Sequence, residues 1–349
     1  MYQAFYPGQV WLDTNGNPIQ AHGGSIFHEN GTYYWYGENK EKTLPGSSIW
    51  HWGVRMYSSK DLYNWQDEGI ICKPNLDDPT SPLHPSSYMD RPHMLYCKET
   101  GLYVLWMKIM GKDEIQFMTV ATSAKITGPF EILHTLRPCG LSSGDFDLVL
   151  EENGHAYIVF EQVHSDLVVA DLTPDYTDVT GHYSIHMPRP YPPFVREAPA
   201  HFYHDNKHYL FTSGTTGYLP NPSEVAVASS MHGPWETLGD PHQNDARHNS
   251  FFSQITSVFA VPDTSLYIAL ADRWLIDILD RTDIDAQSWF ATLFNQETPE
   301  EQKEEAKRKI ETASVQNTSL ARYVWLPVEW QDGKPILRWY DSWKIEDFI

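Results

Sequence analysis

Residues Ser25 to Tyr36 read SIFHENGTYYWY, two runs of aromatic and β-branched residues joined by Asn30-Gly31. Such runs around Asn-Gly mark a β-hairpin, because the tight turn needs positive φ that Asn and Gly adopt at little cost. The pattern returns in Met94 to Met107 (MLYCKETGLYVLWM), Leu148 to Phe160 (LVLEENGHAYIVF), Ala200 to Thr212 (AHFYHDNKHYLFT) and Ser257 to Leu270 (SVFAVPDTSLYIAL). The turns there are Thr100-Gly101, Asn153-Gly154, Asp205-Asn206 and Pro262-Asp263. The five hairpins start about 50 to 70 residues apart, the length of a four-stranded propeller blade with generous loops.

Further strands follow the first four hairpins at Val54 to Ser58, Val120 to Ser123, Leu167 to Asp171 and Val225 to Ser229. Similar turns recur after them, at Leu62-Tyr63-Asn64-Trp65, Gly128-Pro129-Phe130 and Gly233-Pro234-Trp235. The expected fold is therefore all-β, one five-bladed β-propeller over residues 1–349, with an unrelated all-β sandwich as the alternative. A segment from about Asp285 to Thr312 departs from this pattern. Thr298 as N-cap, Pro299 at the first helical position, and Glu300 and Glu301 ahead of Lys and Arg predict a helix, inserted in the last blade. The run is so charged that a solvated helix is favoured over a lid or a partner-binding element, although Trp289 to Phe294 is apolar enough to dock it.

The 349 residues carry 25 Lys+Arg against 46 Asp+Glu, a net charge of −21, which argues against a nucleic-acid partner. Hydrophobic content of 41% and aromatic content of 14% exclude wholesale disorder. No stretch nears the roughly 18 apolar residues of a membrane helix, so no membrane partner is expected. The residues from Met1 to Val10 lack the basic and apolar regions of a secretory signal, and the expected location is cytoplasmic. Cys72, Cys97 and Cys139 fit neither a disulfide framework nor a Cys-x-x-Cys metal site and read as reduced packing residues.

No phosphate loop, HExxH or nucleophile elbow is present. His201, His204 and His208 share a hairpin without a further ligand at metal spacing, so neither a metal cage there nor a cofactor is expected. What remains is carboxylates at the starts of inner strands: Asp90, Asp145 and Glu197. Inner strands line a propeller's channel, so these groups from different blades converge. Glycosidic cleavage needs such convergence, one acid to protonate the leaving oxygen and, for inversion, a base for water on the opposite face.

The chain resembles glycoside hydrolase family 43, and within it the exo-β-1,3-galactanase-like branch, over nearly its full length. The resemblance rests on eight ordered blocks, beginning with Gln20-Ala21-His22-Gly23-Gly24 leading to Tyr33-Tyr34-Trp35-Tyr36-Gly37-Glu38, then Asp90-Arg91-Pro92, then Asp145 ahead of Gly154. It continues with Arg196-Glu197-Ala198-Pro199, Ser213-Gly214-Thr215-Thr216-Gly217-Tyr218-Leu219-Pro220-Asn221, Ser253-Gln254, Asp272-Arg273-Trp274 and Tyr323-Val324-Trp325-Leu326-Pro327.

The resemblance implies a five-bladed propeller, inversion, and release of terminal sugars from an oligosaccharide, with galactose from β-1,3-galacto-oligosaccharides favoured. It implies Glu197 as general acid and Asp145 as the residue that modulates its pKa, whereas a purely structural Glu197 would pair with Arg196 or Arg91. Most members carry a first-blade aspartate where this chain has His22. In the galactanase-like branch a glutamine, here Gln254, is implied to orient the water, while His22 and Glu38 are chemically stronger bases. Glu38, Asp90, Arg91, Tyr218, Asn221, Asp272 and Trp274 are the expected substrate contacts, and Trp35, Trp50 and Trp52 are further candidates for stacking on sugar faces.

Asp90 stands where the branch has glutamate. This leaves α-L-arabinofuranosidase, β-galactofuranosidase and β-xylosidase activities as alternatives, and a non-catalytic sugar-binding propeller as a second alternative. The chain has no room for a carbohydrate-binding module after Trp339 to Trp343, which suggests trimming of short imported oligosaccharides.

Overall fold

The computed structural model describes residues 1–111, 115–313 and 317–349 and forms five radially arranged antiparallel sheets. The first blade is β1 (His22–Glu29), β2 (Thr32–Glu38), β3 (Val54–Ser59) and β4 (Gln66–Cys72). The second is β5 (Tyr88–Cys97), β6 (Leu102–Met110), β7 (Gln116–Ser123) and β8 (Glu131–Leu136). The third is β9 (Ser143–Leu150), β10 (Ala156–Gln162), β11 (Asp166–Leu172) and β12 (Val179–His186). The fourth is β13 (Arg196–His204), β14 (Lys207–Gly214), β15 (Glu224–Ala228) and β16 (Glu236–Gly239). The fifth comprises β18 (Gln254–Ala260), β19 (Tyr267–Arg273), β20 (Arg322–Gln331) and β21 (Lys334–Arg338), with β17 (His242–Gln243) added in parallel along β21.

The five expected hairpins are the inner pairs of these blades, and the four further strands fall on β3, β7, β11 and β15. Each blade buries both faces, so the core is divided among the seams between blades. The seam between the first and second blades holds Val54, Met56, Met89 and Leu105; that between the second and third holds Trp106, Val120, Phe146 and Phe160. The ring closes through the most aromatic seam, where Trp35, Trp65 and Trp325 pack with Phe5 and Trp343. Phe5 and Trp343 exchange backbone hydrogen bonds of 2.9 and 3.1 Å and stack with ring centroids 4.3 Å apart.

A β-bulge interrupts every innermost strand near its start. Gly23-Gly24, Arg91-Pro92, Gly144-Asp145 and Ala198-Pro199 each set two residues against one on the second strand, and Thr256 is a single extra residue in β18. A bulge frees residues from the ladder and re-aims their side chains, and it is where a strand tolerates proline. Pro92 and Pro199 are thereby accounted for, as is the positive φ of Arg91 (52°) and Ala198 (50°). Gly24 has a different reason: a Cβ there would overlap the carbonyl oxygen of Tyr36 on β2.

The insertion between β19 and β20 is two helices, α1 (Ala286–Phe294) and α2 (Glu300–Ala313). The apolar stretch expected only to dock a helix is itself helical, started by the Asp285 side chain, which accepts from the Ser288 amide at 3.0 Å. Ala286, Trp289 and Phe290 of α1 and Ala313 of α2 pack with Leu219, Phe252, Trp274 and Tyr218. The remaining face of α2 is solvated, so the insertion buttresses the loops at the channel mouth.

Candidate active site

The bulges bring the starts of the inner strands and the ends of the second strands around a cavity of about 230 Å³ on the channel axis. Its wall is made by Glu38, Trp50, Asp90, Arg91, Lys108, Met110, Asp145, Glu197, Gly217, Tyr218, Gln254 and Trp274. Eight of the eleven expected site residues are among these.

Glu197, second residue of β13, lines this cavity with its carboxyl group. Burial, then the neighbouring Asp145 and Glu161, push its pKa well above the usual carboxylate range, against the pull of Arg91 and Lys108. It has no partner in Arg196, whose guanidinium turns away to the Thr212 hydroxyl at 3.0 Å and the Thr212 carbonyl at 2.9 Å. Gln254 is fixed on four sides. Its Oε1 accepts from Arg91 Nη2 at 2.6 Å and Trp274 Nε1 at 3.3 Å, and since both are donors only, the amide orientation follows. Its Nε2 then donates to Ser213 Oγ at 2.9 Å and to Glu197 Oε1 at 3.1 Å. With Oε1 of Glu197 an acceptor, the acid's proton belongs on Oε2.

Three cations hold the remaining carboxylates. Arg91 lies 3.2 Å from Asp145; Lys108 lies 3.1 Å from Asp90 and 3.6 Å from Asp145; Lys40 lies 2.8 Å from Glu38 and 3.7 Å from Asp90. Burial pushes Asp90 up, but Lys108, Lys40 and a 2.7 Å hydrogen bond from Trp50 Nε1 outweigh it and bring its pKa down to about 2. Burial pushes both Glu38 and Glu161 up to about 7. Among the described residues the cluster sets five carboxyl groups against three cations, and this shortage of positive charge favours protonated glutamates. Glu197 takes the first proton.

Glu161, Lys108 and Lys40 escaped the sequence reading, and Ser213 entered it only as part of a block, although each sits at or just beyond the channel end of a second strand. A lone lysine inside LYVLWMKIM or a glutamate closing AYIVFEQ was the available signal, because a charge inside an otherwise buried strand needs a partner.

Three expected residues lie outside the cavity. His22 is fully buried below its floor, with Nδ1 2.8 Å from Asp272 and its ring stacked on Tyr323 at 4.8 Å. Asp272 spends its other oxygen on the Gly23 amide at 2.9 Å, tying the first blade to the fifth. Asn221 closes the loop from Gly214, accepting from the Gly214 amide at 2.6 Å and donating to its carbonyl at 2.8 Å, and so carries Tyr218 into place. Of the aromatic candidates, Trp35 is core and Trp52 caps Lys42, whereas Trp50 stacks on Tyr218 at 5.7 Å and Tyr218 leans on Trp274 at 5.1 Å. These three rings form an aromatic rim. On the hairpin histidines, His201 and His208 hydrogen-bond at 3.0 Å and His204 stacks on Trp330.

The two glutamates near 7 give stability a pH signature. Their folded pKa lies above the ordinary 4.5, so the unfolded chain releases these protons first, and their contribution is full below about 4.5 and lost as pH rises through 7. Burial pushes His51 and His201 down to about 3, which acts in the opposite sense up to about pH 6.5, so the glutamates are read as a difference between proteins. The unfolding midpoint of Glu161→Gln relative to wild type is expected to rise between pH 5 and 8 in calorimetry, and a relative midpoint that falls over that range would contradict the assignment.

Residues 16–275 match the protein family described as glycosyl hydrolases family 43. No curated protein sequence matches the chain. Among solved structures, it is similar to a GH43 β-1,3-galactosidase (TM-score 0.80, 27% identity) over 100% of this chain and 65% of that one. A second GH43 β-1,3-galactosidase, solved with galactodeoxynojirimycin, gives TM-score 0.80 and 26% identity over 98% of this chain and 100% of that one. An exo-β-1,3-galactanase from Clostridium thermocellum gives TM-score 0.74 and 27% identity over 97% and 66% of the two chains. The chain thus spans about two thirds of the length of the first and third, and all of the second.

Proposed function

Because the chain belongs to family 43 of the glycosyl hydrolases and is a glycosidase, we propose that it removes terminal galactose from β-1,3-linked galacto-oligosaccharides, with inversion at the anomeric carbon. The observation that carries this reading is Glu197, an acid kept protonated by burial and by Asp145, facing a cavity scaled to a terminal sugar. Likeness to two β-1,3-galactosidases supports the choice of sugar and linkage.

In the proposed reaction the aromatic rim of Trp50, Tyr218 and Trp274 holds the sugar, and Glu197 Oε2 gives its proton to the departing glycosidic oxygen. Water then needs a proton acceptor on the opposite face, about 6.5–9.5 Å from the acid. Gln254 is bonded directly to Glu197, on the acid's own side, and its lone pairs are taken by Arg91 and Trp274. Glu38 comes from the first blade, two blades away from the fourth, and a pKa of about 7 suits a base at neutral pH. We therefore assign the base to Glu38 and give Gln254 the work of aiming the acid.

Purified protein is expected to release galactose from β-1,3-galactobiose, with the α-anomer seen first by proton NMR. Cleavage of 4-nitrophenyl α-L-arabinofuranoside, β-galactofuranoside or β-xyloside with galactobiose untouched would overturn the sugar assignment. Glu38→Gln is expected to lose turnover and to recover it with azide, a nucleophile that needs no deprotonation. Gln254→Ala, which lets the acid drift, is expected to lose about 10²-fold in kcat without azide rescue. Rescue of Gln254→Ala instead would move the base to Gln254.

A further inference from the structure

Away from the channel, the third and fourth blades meet on the outside of the propeller through imidazoles gathered around Asp171 of β11. His232 Nε2, from the turn between β15 and β16, lies 2.7 Å from Asp171 Oδ1, and His182 Nδ1, from β12, lies 3.0 Å from Oδ2. Ligand atoms of these three residues all lie within 4.8 Å of one another. His155 Nε2 stands 3.6 Å from the same carboxylate. The cluster opens to solvent, the His182 side chain being 66% exposed.

His232 is also oriented from behind. Its Nδ1 lies 2.6 Å from Ser184 Oγ, which lies 2.7 Å from His186 Nε2. This relay runs in either direction. With Nε2 of His232 protonated, Ser184 donates to His232 Nδ1 and the ring donates to Asp171. With the relay reversed, Nδ1 donates to Ser184, Ser184 donates to His186 Nε2, and each ring still keeps one proton. Then the bare Nε2 of His232 and the Asp171 carboxylate point their lone pairs into one space. His182 reaches the same state by carrying its proton on the exposed Nε2. A hydrogen-bonded outer partner of this kind is what fixes the tautomer of a metal-ligating histidine.

We propose that Asp171, His182 and His232 bind a zinc-class divalent cation that clips the third blade to the fourth, with His155 or water completing a tetrahedral set. Two imidazoles and a carboxylate suit Zn²⁺, whereas Ca²⁺ and Mg²⁺ call for an all-oxygen set. The site is remote from the sugar cavity and stands independently of the substrate proposed above.

The test is titration of the metal-stripped full chain with Zn²⁺ against a chromogenic chelator, with calorimetric unfolding in parallel. One Zn²⁺ per chain is expected, undisturbed by excess Ca²⁺. His182→Ala, a change at an exposed position, and His232→Ala should each weaken binding more than about a hundredfold, beyond the roughly 10–100-fold that losing an outer-shell partner costs. Zn²⁺ should raise the unfolding midpoint of the wild type and not of His182→Ala, while glycosidase activity stays the same in both. Absence of saturable binding at submillimolar Zn²⁺, or equal affinity in wild type and both variants, would overturn the proposal.

Discussion

Glu197→Gln is expected to lower kcat on β-1,3-galactobiose by about 10²–10⁴-fold, the usual range for losing a positioned general acid, with KM little changed. The amide keeps the shape of the acid and can still accept from Gln254 Nε2, so the sugar's surroundings persist while the transferable proton is gone. The loss should be much smaller on a 4-nitrophenyl galactoside, whose leaving group departs as a stable anion without protonation. The wild-type pH profile has a matching sign: Glu197 must be protonated, so kcat/KM falls as pH rises through its elevated pKa. Equal losses on both substrates would mean that Glu197 shapes the cavity rather than donating a proton.

Lys108→Met is expected to cost about 3–5 kcal/mol of stability at pH 7, because removing one partner of a buried ion pair leaves its counter-charges unpaired. Lys108 is the nearest cation to Asp90 and the second cation of Asp145. Without it, burial of Asp90 is opposed only by Lys40 and Trp50 and its pKa rises, while Glu161 and Glu197 also lose a cation that pulls theirs down. The folded variant then takes up protons that the wild type does not. Its deficit relative to wild type should therefore shrink as pH is lowered from 7 to 5, measured by denaturant unfolding at both pH values. A deficit that ignores pH would point to lost packing of the lysine stem instead.

The propeller was legible because its inner hairpins are runs of aromatic and β-branched residues joined by explicit turn residues, as in HENGT and KETGL. The outermost strands were not, and Glu131–Leu136 shows why: nearly all of it faces solvent, so no apolar alternation marks it. Helix α1 was hidden for the opposite reason, since AQSWFATLF is short and uncharged, and Gln287, Ser288 and Thr292 are all it has of a polar side to betray its period. In the site, Asp90, Asp145 and Glu197 could be read from their place at strand starts, which is a local property. Lys40, Lys108 and Glu161 become meaningful only against groups on other strands or blades. His22 illustrates the converse, for a titratable residue in a recognisable block can face inward, and only the stacking Tyr323 and the waiting Asp272 reveal it.

The bulges bear on how such a molecule changes over time. In the first four blades the inner strand leaves its ladder at the mouth for two residues and rejoins it shifted by one, so the bulged residues are set apart from the strand below. A side chain at the mouth can therefore change without shifting a downstream pair of its blade, whereas Asp90 and Asp145 are held by the ion pairs to Lys108 and Arg91. Selectivity for a new sugar can thus drift at the aromatic rim of Trp50, Tyr218 and Trp274 while the architecture is held constant, and randomised libraries confined to those positions would search substrates rather than folds.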